Sequence, residues 1–209
     1  MLGEALEGRR NDVVLVSKFG HVTRDTKDFG AEDFDERVDA TLRRLRTDRL
    51  DVLLLHNPPE SFYRGEDAIW EALERAKRQG KILHYGASLD FAREIETCLT
   101  HTSSEVLEIL FNALHQDVRR AFDVVRERGA GTICKVPLDS GWLSGRYDAS
   151  STFAGIRARW TREQIAERAR LVDEFRWLGD ERPDLAAGAL AYTLAYDEVV
   201  KRFDLAMDW

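Results

Sequence analysis

Leu50-Asp51-Val52-Leu53-Leu54-Leu55-His56-Asn57 runs straight into Pro58-Pro59, and this junction constrains the fold more than any other stretch. An apolar run closed by a proline pair reads as a strand buried on both faces. Pro58 disfavours helical backbone at Asn57, so the strand stops there and the chain passes into a loop. His56 then sits at the C-terminal rim of a parallel strand, where α/β folds carry their chemistry. A histidine merely satisfied at a strand end is the plain alternative. Upstream, Val13-Val14-Leu15-Val16-Ser17-Lys18 reads as a second buried strand and ends in the same manner, at Lys18-Phe19-Gly20.

Between and beyond these runs the pattern alternates. Residues 2–7 read as closing turns of a helix stopped by Gly8. Asp33 and Glu36 have the spacing of a capping box, and Phe34, Val38, Leu42 and Leu45 follow at helical intervals. Ile69, Ala72, Leu73 and Ala76 line one face of a helix that Gly80 ends. Strands are expected at Ile82–Gly86, Val106–Asn112 and Thr132–Val136, with helices through about 91–99 and 117–128 between them. A long loop from Pro137 to Thr161 precedes two helical segments, about 162–178 and 184–196. Five strands alternating with helices imply right-handed crossovers and a parallel sheet, either doubly wound or part of a barrel. No GxGxxG follows a strand, which weakens the dinucleotide-fold option. A single domain over 1–209 is expected.

Composition narrows the function. At 44% hydrophobic and 33% charged, the chain is an ordinary globular mixture. A net charge of −7 argues against nucleic acid as the partner. Cys98 and Cys134 are the only cysteines and show no metal-ligand spacing, so no metal site and a reducing, cytoplasmic setting are expected. No apolar run is long enough to span a bilayer, and no signal-peptide core is present.

Lys18, His56, Ser88, Glu108 and Lys135 fall at or near the ends of successive strands, and in a barrel such ends share one mouth. At this point the chain resembles the aldo-keto reductase family. The matching pieces are residues 14–20 (VLVSKFG), 42–45 (LRRL), 51–56 (DVLLLH), 80–88 (GKILHYGAS) and 136–147 (VPLDSGWLSGRY). The resemblance implies an NADP-dependent carbonyl reductase on a (β/α)8 barrel, acting on a small carbonyl substrate or its hydroxyl counterpart. Lys18 matches the family's lysine and His56 its histidine, the two catalytic positions. Ser88 and Asp90 fall at the cofactor-amide position, where Leu89-Asp90 displaces the family's asparagine. Glu108 stands where the family has a glutamine on the same amide; an ionised carboxylate only accepts. Lys135 and Val136 match the segment beside the nicotinamide ring. Leu138, Ser140, Gly141, Leu143, Ser144 and Arg146 match the loop over the pyrophosphate. Phe19, Asn57 and Trp142 are candidates to line a substrate pocket.

Set against the family pattern, the 209 residues read as an incomplete barrel with its first strands and last strand missing, short of the roughly 250 residues typical of the fold. The aspartate and tyrosine of the family site would lie upstream, leaving Lys18 uncoupled, and the 2′-phosphate turn would lie downstream, leaving NADP weakly held or lost. Tyr63 and Tyr147, in loops, are the candidate substitute acids; Tyr85 is expected to pack. Exposed edges at Val13–Lys18 and Thr132–Val136 favour a homo-oligomer, or coverage by Phe203, Leu205, Met207 and Trp209. Three functions stay open: a reductase with a substitute or borrowed acid, a non-redox acid/base enzyme using Lys18 and His56, and a non-catalytic binding or assembly protein.

Overall fold

In the computed structural model, residues 2–23 and 25–200 are described. Phe203, Leu205, Met207 and Trp209, named above as filling residues, lie outside them. Packing groups the chain into two units. One runs through Ile109 and returns for Arg120–Ile133; the other takes Leu110–Arg119 and the chain from Cys134 onward.

The first unit begins with α1 (Leu2–Ala5), a turn through Gly8 at φ 72°, and a 3-10 turn at Arg10–Asp12. Arg10 is the latch of the sheet. Its guanidinium donates to Asp51 Oδ2 at 2.8 Å, Thr47 Oγ1 at 2.9 Å, Arg49 O at 3.0 Å and Val13 O at 3.2 Å. Asp51 Oδ2 also accepts from the Leu15 N–H at 2.6 Å. This side-chain bond interrupts the regular ladder, so β1 (Val16–Phe19) starts later than the apolar letters suggested.

The chain continues with α2 (Phe34–Leu45), β2 (Leu50–His56), α3 (Glu60–Tyr63), α4 (Ile69–Arg78), β3 (Ile82–Leu89), α5 (Ala92–His101) and β4 (Val106–Leu110). A 3-10 stretch at Asp117–Ala121 leads into α6 (Phe122–Arg128), so the helix expected from 117 is α-helical only in its second half. Next comes β5 (Gly131–Lys135). The five strands form one sheet in the order β1-β2-β3-β4-β5. β1–β2, β2–β3 and β3–β4 pair in parallel, with Lys18 beside Leu54, Leu54 beside Gly86, His56 beside Ser88 and Ser88 beside Glu108.

β2 is buried along its length, as its letters require: Leu50, Val52, Leu53, Leu54 and Leu55 are all 3% exposed or less. β1 corrects the expectation of a buried strand. Val14, just before the strand, and Val16 are 47% and 37% exposed; among the described residues β1 is an edge strand paired with β2. Gly86 is fixed by backbone approach: a Cβ there would lie 1.7 Å from the Val106 carbonyl oxygen. The capping box proposed at Asp33 is not made; Asp33 Oδ1 accepts from Arg37 Nη1 at 3.4 Å instead. Glu94 caps α5, accepting from the Asp90 and Phe91 N–H groups.

The second unit holds the loop after β5, α7 (Arg162–Glu174), α8 (Leu185–Leu194) and α9 (Asp197–Val200). Thr161 and Gln164 cap α7 reciprocally, and Asp184 caps α8. Their shared core is Trp142, Leu143, Ile165, Val172, Leu185 and Ala189. Gly188 lets α8 sit against the Leu178 carbonyl, which a Cβ would approach to 2.0 Å. Among the described residues no helix is long and apolar enough to cross a membrane, and no His/Cys/Asp/Glu group is arranged to hold a metal.

Candidate active site at the strand ends

Parallel pairing places Lys18, His56, Ser88 and Glu108 on one face of the sheet. Lys18 shares a row with Leu54, which precedes His56 by two residues, and His56, Ser88 and Glu108 share the next row. The side chains are wired together. Lys18 Nζ lies 2.7 Å from Glu108 Oε1. Ser88 Oγ donates to Glu108 Oε2 at 2.6 Å and lies 3.3 Å from Asn57 Oδ1. Asn57 Nδ2 donates to Asp90 Oδ2 at 2.9 Å, and the Asn57 N–H donates to Ser88 O at 3.1 Å. Ser88 is fully buried and Glu108 8% exposed, so the carboxylate depends on this cation and this hydroxyl for its loss of water.

The expectation that Lys18 is uncoupled is therefore corrected. Register, not sequence proximity, brings it a carboxylate from β4. Asn57 holds its place through left-handed backbone at φ 49°, directly before Pro58. Its carbonyl accepts from Lys27 Nζ at 3.0 Å. The sequence reading missed Lys27, and it missed His21, whose ring stacks on His56 with centroids 4.2 Å apart. The only available signal was that His21 follows Gly20 past the end of β1. Phe19 is buried, with Phe34 at 5.0 Å and the Arg37 guanidinium at 4.0 Å from its ring.

In the second unit, Lys135 ends β5 and Val136 turns left-handed at φ 57°. The Val136 carbonyl accepts from Asn112 Nδ2 at 2.9 Å. Asp139, Ser140 and Gly141 follow with φ of 44°, 57° and 100°. This is a strained turn whose Gly141 and Leu143 N–H groups both donate to Leu138 O, at 2.9 and 3.1 Å. Ser144 Oγ donates to Gly141 O at 2.5 Å, and Arg146 is exposed. Asp139, another residue the sequence reading did not single out, is buried and bonds His115 Nε2 at 3.3 Å and the Arg168 guanidinium. Trp142 is fully buried, with Tyr147, Phe153 and Trp160 around its ring at 5.5–5.7 Å.

Tyr63 belongs to α3 and is buried, which with Glu94 and Glu60 nearby pushes its phenol up. Tyr85 packs as expected; burial, and then its bond to Glu74, push it well above the ordinary value. Tyr147 accepts from Arg157 at 3.4 Å. Tyr196 donates to Tyr192 at 3.3 Å, and burial pushes Tyr192 up to about 12.

A parallel strand–helix alternation with its polar residues gathered at the strand ends defines a partial (β/α)-barrel protein with a strand-end site. Residues 1–201 match the Aldo/keto reductase family, and the chain belongs to it. An aldo-keto reductase of Bacillus halodurans solved in its holo form superposes with a TM-score of 0.76 at 27% identity, over 95% of this chain and 64% of that one. The Schizosaccharomyces pombe aldo-keto reductase yakc [NADP(+)] is 25% identical over 158 residues, 70% of this chain and 45% of its own. Methylglyoxal reductase YeaE of Escherichia coli is 40% identical over 96 residues, 44% of this chain and 30% of its own. The matches thus span 45% and 30% of these two curated relatives' own lengths. The five parallel strands match the (β/α)8 barrel of these relatives, and among the described residues the barrel is not closed.

Proposed function

We propose that the chain binds NADP(H) at the ends of β1–β4 and serves the reduction of a small carbonyl substrate, or oxidation of its hydroxyl counterpart. The observation that carries this reading is the Lys18–Glu108–Ser88–Asn57–Asp90 network on the strand ends. Family membership supports it, as does the NADP(+) in the name of the Schizosaccharomyces pombe relative. Ser88 and Glu108 are adjacent buried polar groups that fit the amide end of a nicotinamide. The cofactor supplies hydride. The chain's own part is to orient the carbonyl oxygen with His56, stabilise charge developing on it with Lys18, and exclude water with Phe19 and its neighbours.

Affinity is expected to be weak, because Glu108 already holds Lys18. Dialysed protein titrated with NADPH and followed by fluorescence should give a Kd above about 10 μM, weakened further by Ser88→Ala. Binding tighter than about 1 μM with strong preference for NADPH over NADH contradicts this; no binding at any concentration removes the cofactor reading.

The edge position of β1, with Val14, Val16 and Val22 exposed, supports self-association in a reducing, cytoplasmic setting, where Cys98 and Cys134 stay free thiols. Light scattering should show a dimer or larger, and Val16→Lys should shift it toward monomer. A monodisperse wild-type monomer contradicts the assembly reading.

A further inference from the structure

Building on the nicotinamide reading above, we infer that Glu108 is the positioning residue of Lys18, holding its ammonium in place at the expense of the cofactor's amide. Glu108 Oε1 takes Lys18 at 2.7 Å and Oε2 takes the Ser88 hydroxyl at 2.6 Å, so each oxygen of a nearly buried carboxylate is engaged. Lys18 stands on β1 and Glu108 on β4, with the Leu54 and Gly86 positions of β2 and β3 between them. A flexible lysine reaches across two strands only where a fixed charge rewards the extended rotamer. Glu108 is itself fixed, because Ser88 pins its second oxygen and Ser88 is fully buried. The order of control therefore runs from Ser88 through Glu108 to Lys18.

The chemistry of the side chain sets the consequence. An ionised carboxylate only accepts hydrogen bonds, whereas a glutamine amide donates and accepts. A primary carboxamide arriving beside Ser88 offers its N–H groups to the same carboxylate that Lys18 occupies. It meets a competitor already bound through an ion pair with little exposure on the Glu108 side. Replacing the charge by the isosteric amide breaks the hold on Lys18 and opens the acceptor to the ligand. Both effects follow from one substitution, and they are read by different experiments.

The first experiment needs no cofactor. The full 209-residue chain and Glu108→Gln are labelled with trace acetic anhydride, and the rate at Lys18 is read by mass spectrometry. Lys77 and Lys81, paired with Glu105 and Asp39, serve as internal references. A held ammonium must leave its carboxylate before reacting, so E108Q should raise the Lys18 rate at least about threefold relative to both references. An unchanged Lys18 rate overturns the inference, since a merely structural role for Glu108 would leave Lys18 reactivity where it was. Circular dichroism verifies the fold of E108Q. If it fails to fold, Glu108→Asp, which keeps the charge but shortens its reach, replaces it with the same expected direction.

The second experiment titrates NADPH into both proteins. E108Q should bind at least about fivefold tighter; equal or weaker binding than wild type overturns the competition for the amide. Faster Lys18 labelling with no NADPH binding by either protein supports the hold of Glu108 on Lys18 and overturns the cofactor reading instead.

Discussion

Assayed with NADPH and a panel of aromatic and aliphatic aldehydes, the 209-residue chain is expected to turn over at least about 10²-fold, and up to about 10⁴-fold, more slowly than an aldo-keto reductase with its acid in place. Carbonyl reduction needs a proton donor within about 2.6–3.2 Å of the carbonyl oxygen. Of the five tyrosines, Tyr63 is buried, Tyr85 donates to Glu74 and Tyr196 donates to Tyr192, while Tyr147 and Tyr192 accept, from Arg157 and Tyr196. A phenol pushed up by burial is also a poorer acid, as for Tyr63, Tyr85 and Tyr192. Lys18 is turned toward Glu108, and that contact directs its protons to a carboxylate rather than a substrate. Lys18→Met and His56→Ala should each lower that already low wild-type rate further, because they remove the groups proposed to stabilise and orient the carbonyl oxygen. Robust wild-type turnover abolished by either substitution contradicts the prediction and identifies an acid supplied from elsewhere.

The largest stability effect is expected at Asp51. Asp51→Ala removes the carboxylate that joins Arg10 to the Leu15 N–H and leaves a guanidinium with a side chain only 15% exposed. Breaking a buried pair from one side costs about 3–5 kcal/mol, enough to halve the stability of a typical domain. The urea midpoint should fall accordingly at unchanged slope. By contrast, Arg46 pairs with Glu4 and Glu7 at 3.5 Å in the open, with all three side chains more than half exposed. Such exposed pairs contribute about 0–1 kcal/mol, and Arg46→Ala serves as the control. A loss at Asp51 no greater than at Arg46 contradicts the latch.

Much of the framework was legible because burial writes itself into apolar runs. β2 announces itself in Val52–Leu55, and α4 in Ile69, Ala72, Leu73 and Ala76, all buried as their spacing requires. β1 carries the same letters as β2 but not the same environment. Whether a strand is central or at an edge depends on which strands flank it, and local composition does not carry that information. Asp51 looked like a strand boundary, and its role as a latch depends on Arg10, 41 residues earlier. The site residues were legible one by one as polar side chains closing apolar runs. Their coupling was not: Lys18 meets Glu108 through a register summed over three strand pairings, and no local pattern encodes that sum. The capping box at Asp33 failed for a similar reason, since Arg37 competes for the same carboxylate from one helical turn away.

The most direct test of the strand-end site is a crystal structure of the chain with NADPH. The nicotinamide carboxamide should lie within about 3 Å of Ser88 Oγ and a Glu108 oxygen, with the Lys18–Glu108 contact of 2.7 Å lengthened or broken and His56 on the ring side of the site. A cofactor bound away from the ends of β1–β4, with the Lys18–Glu108–Ser88 contacts unchanged, contradicts it.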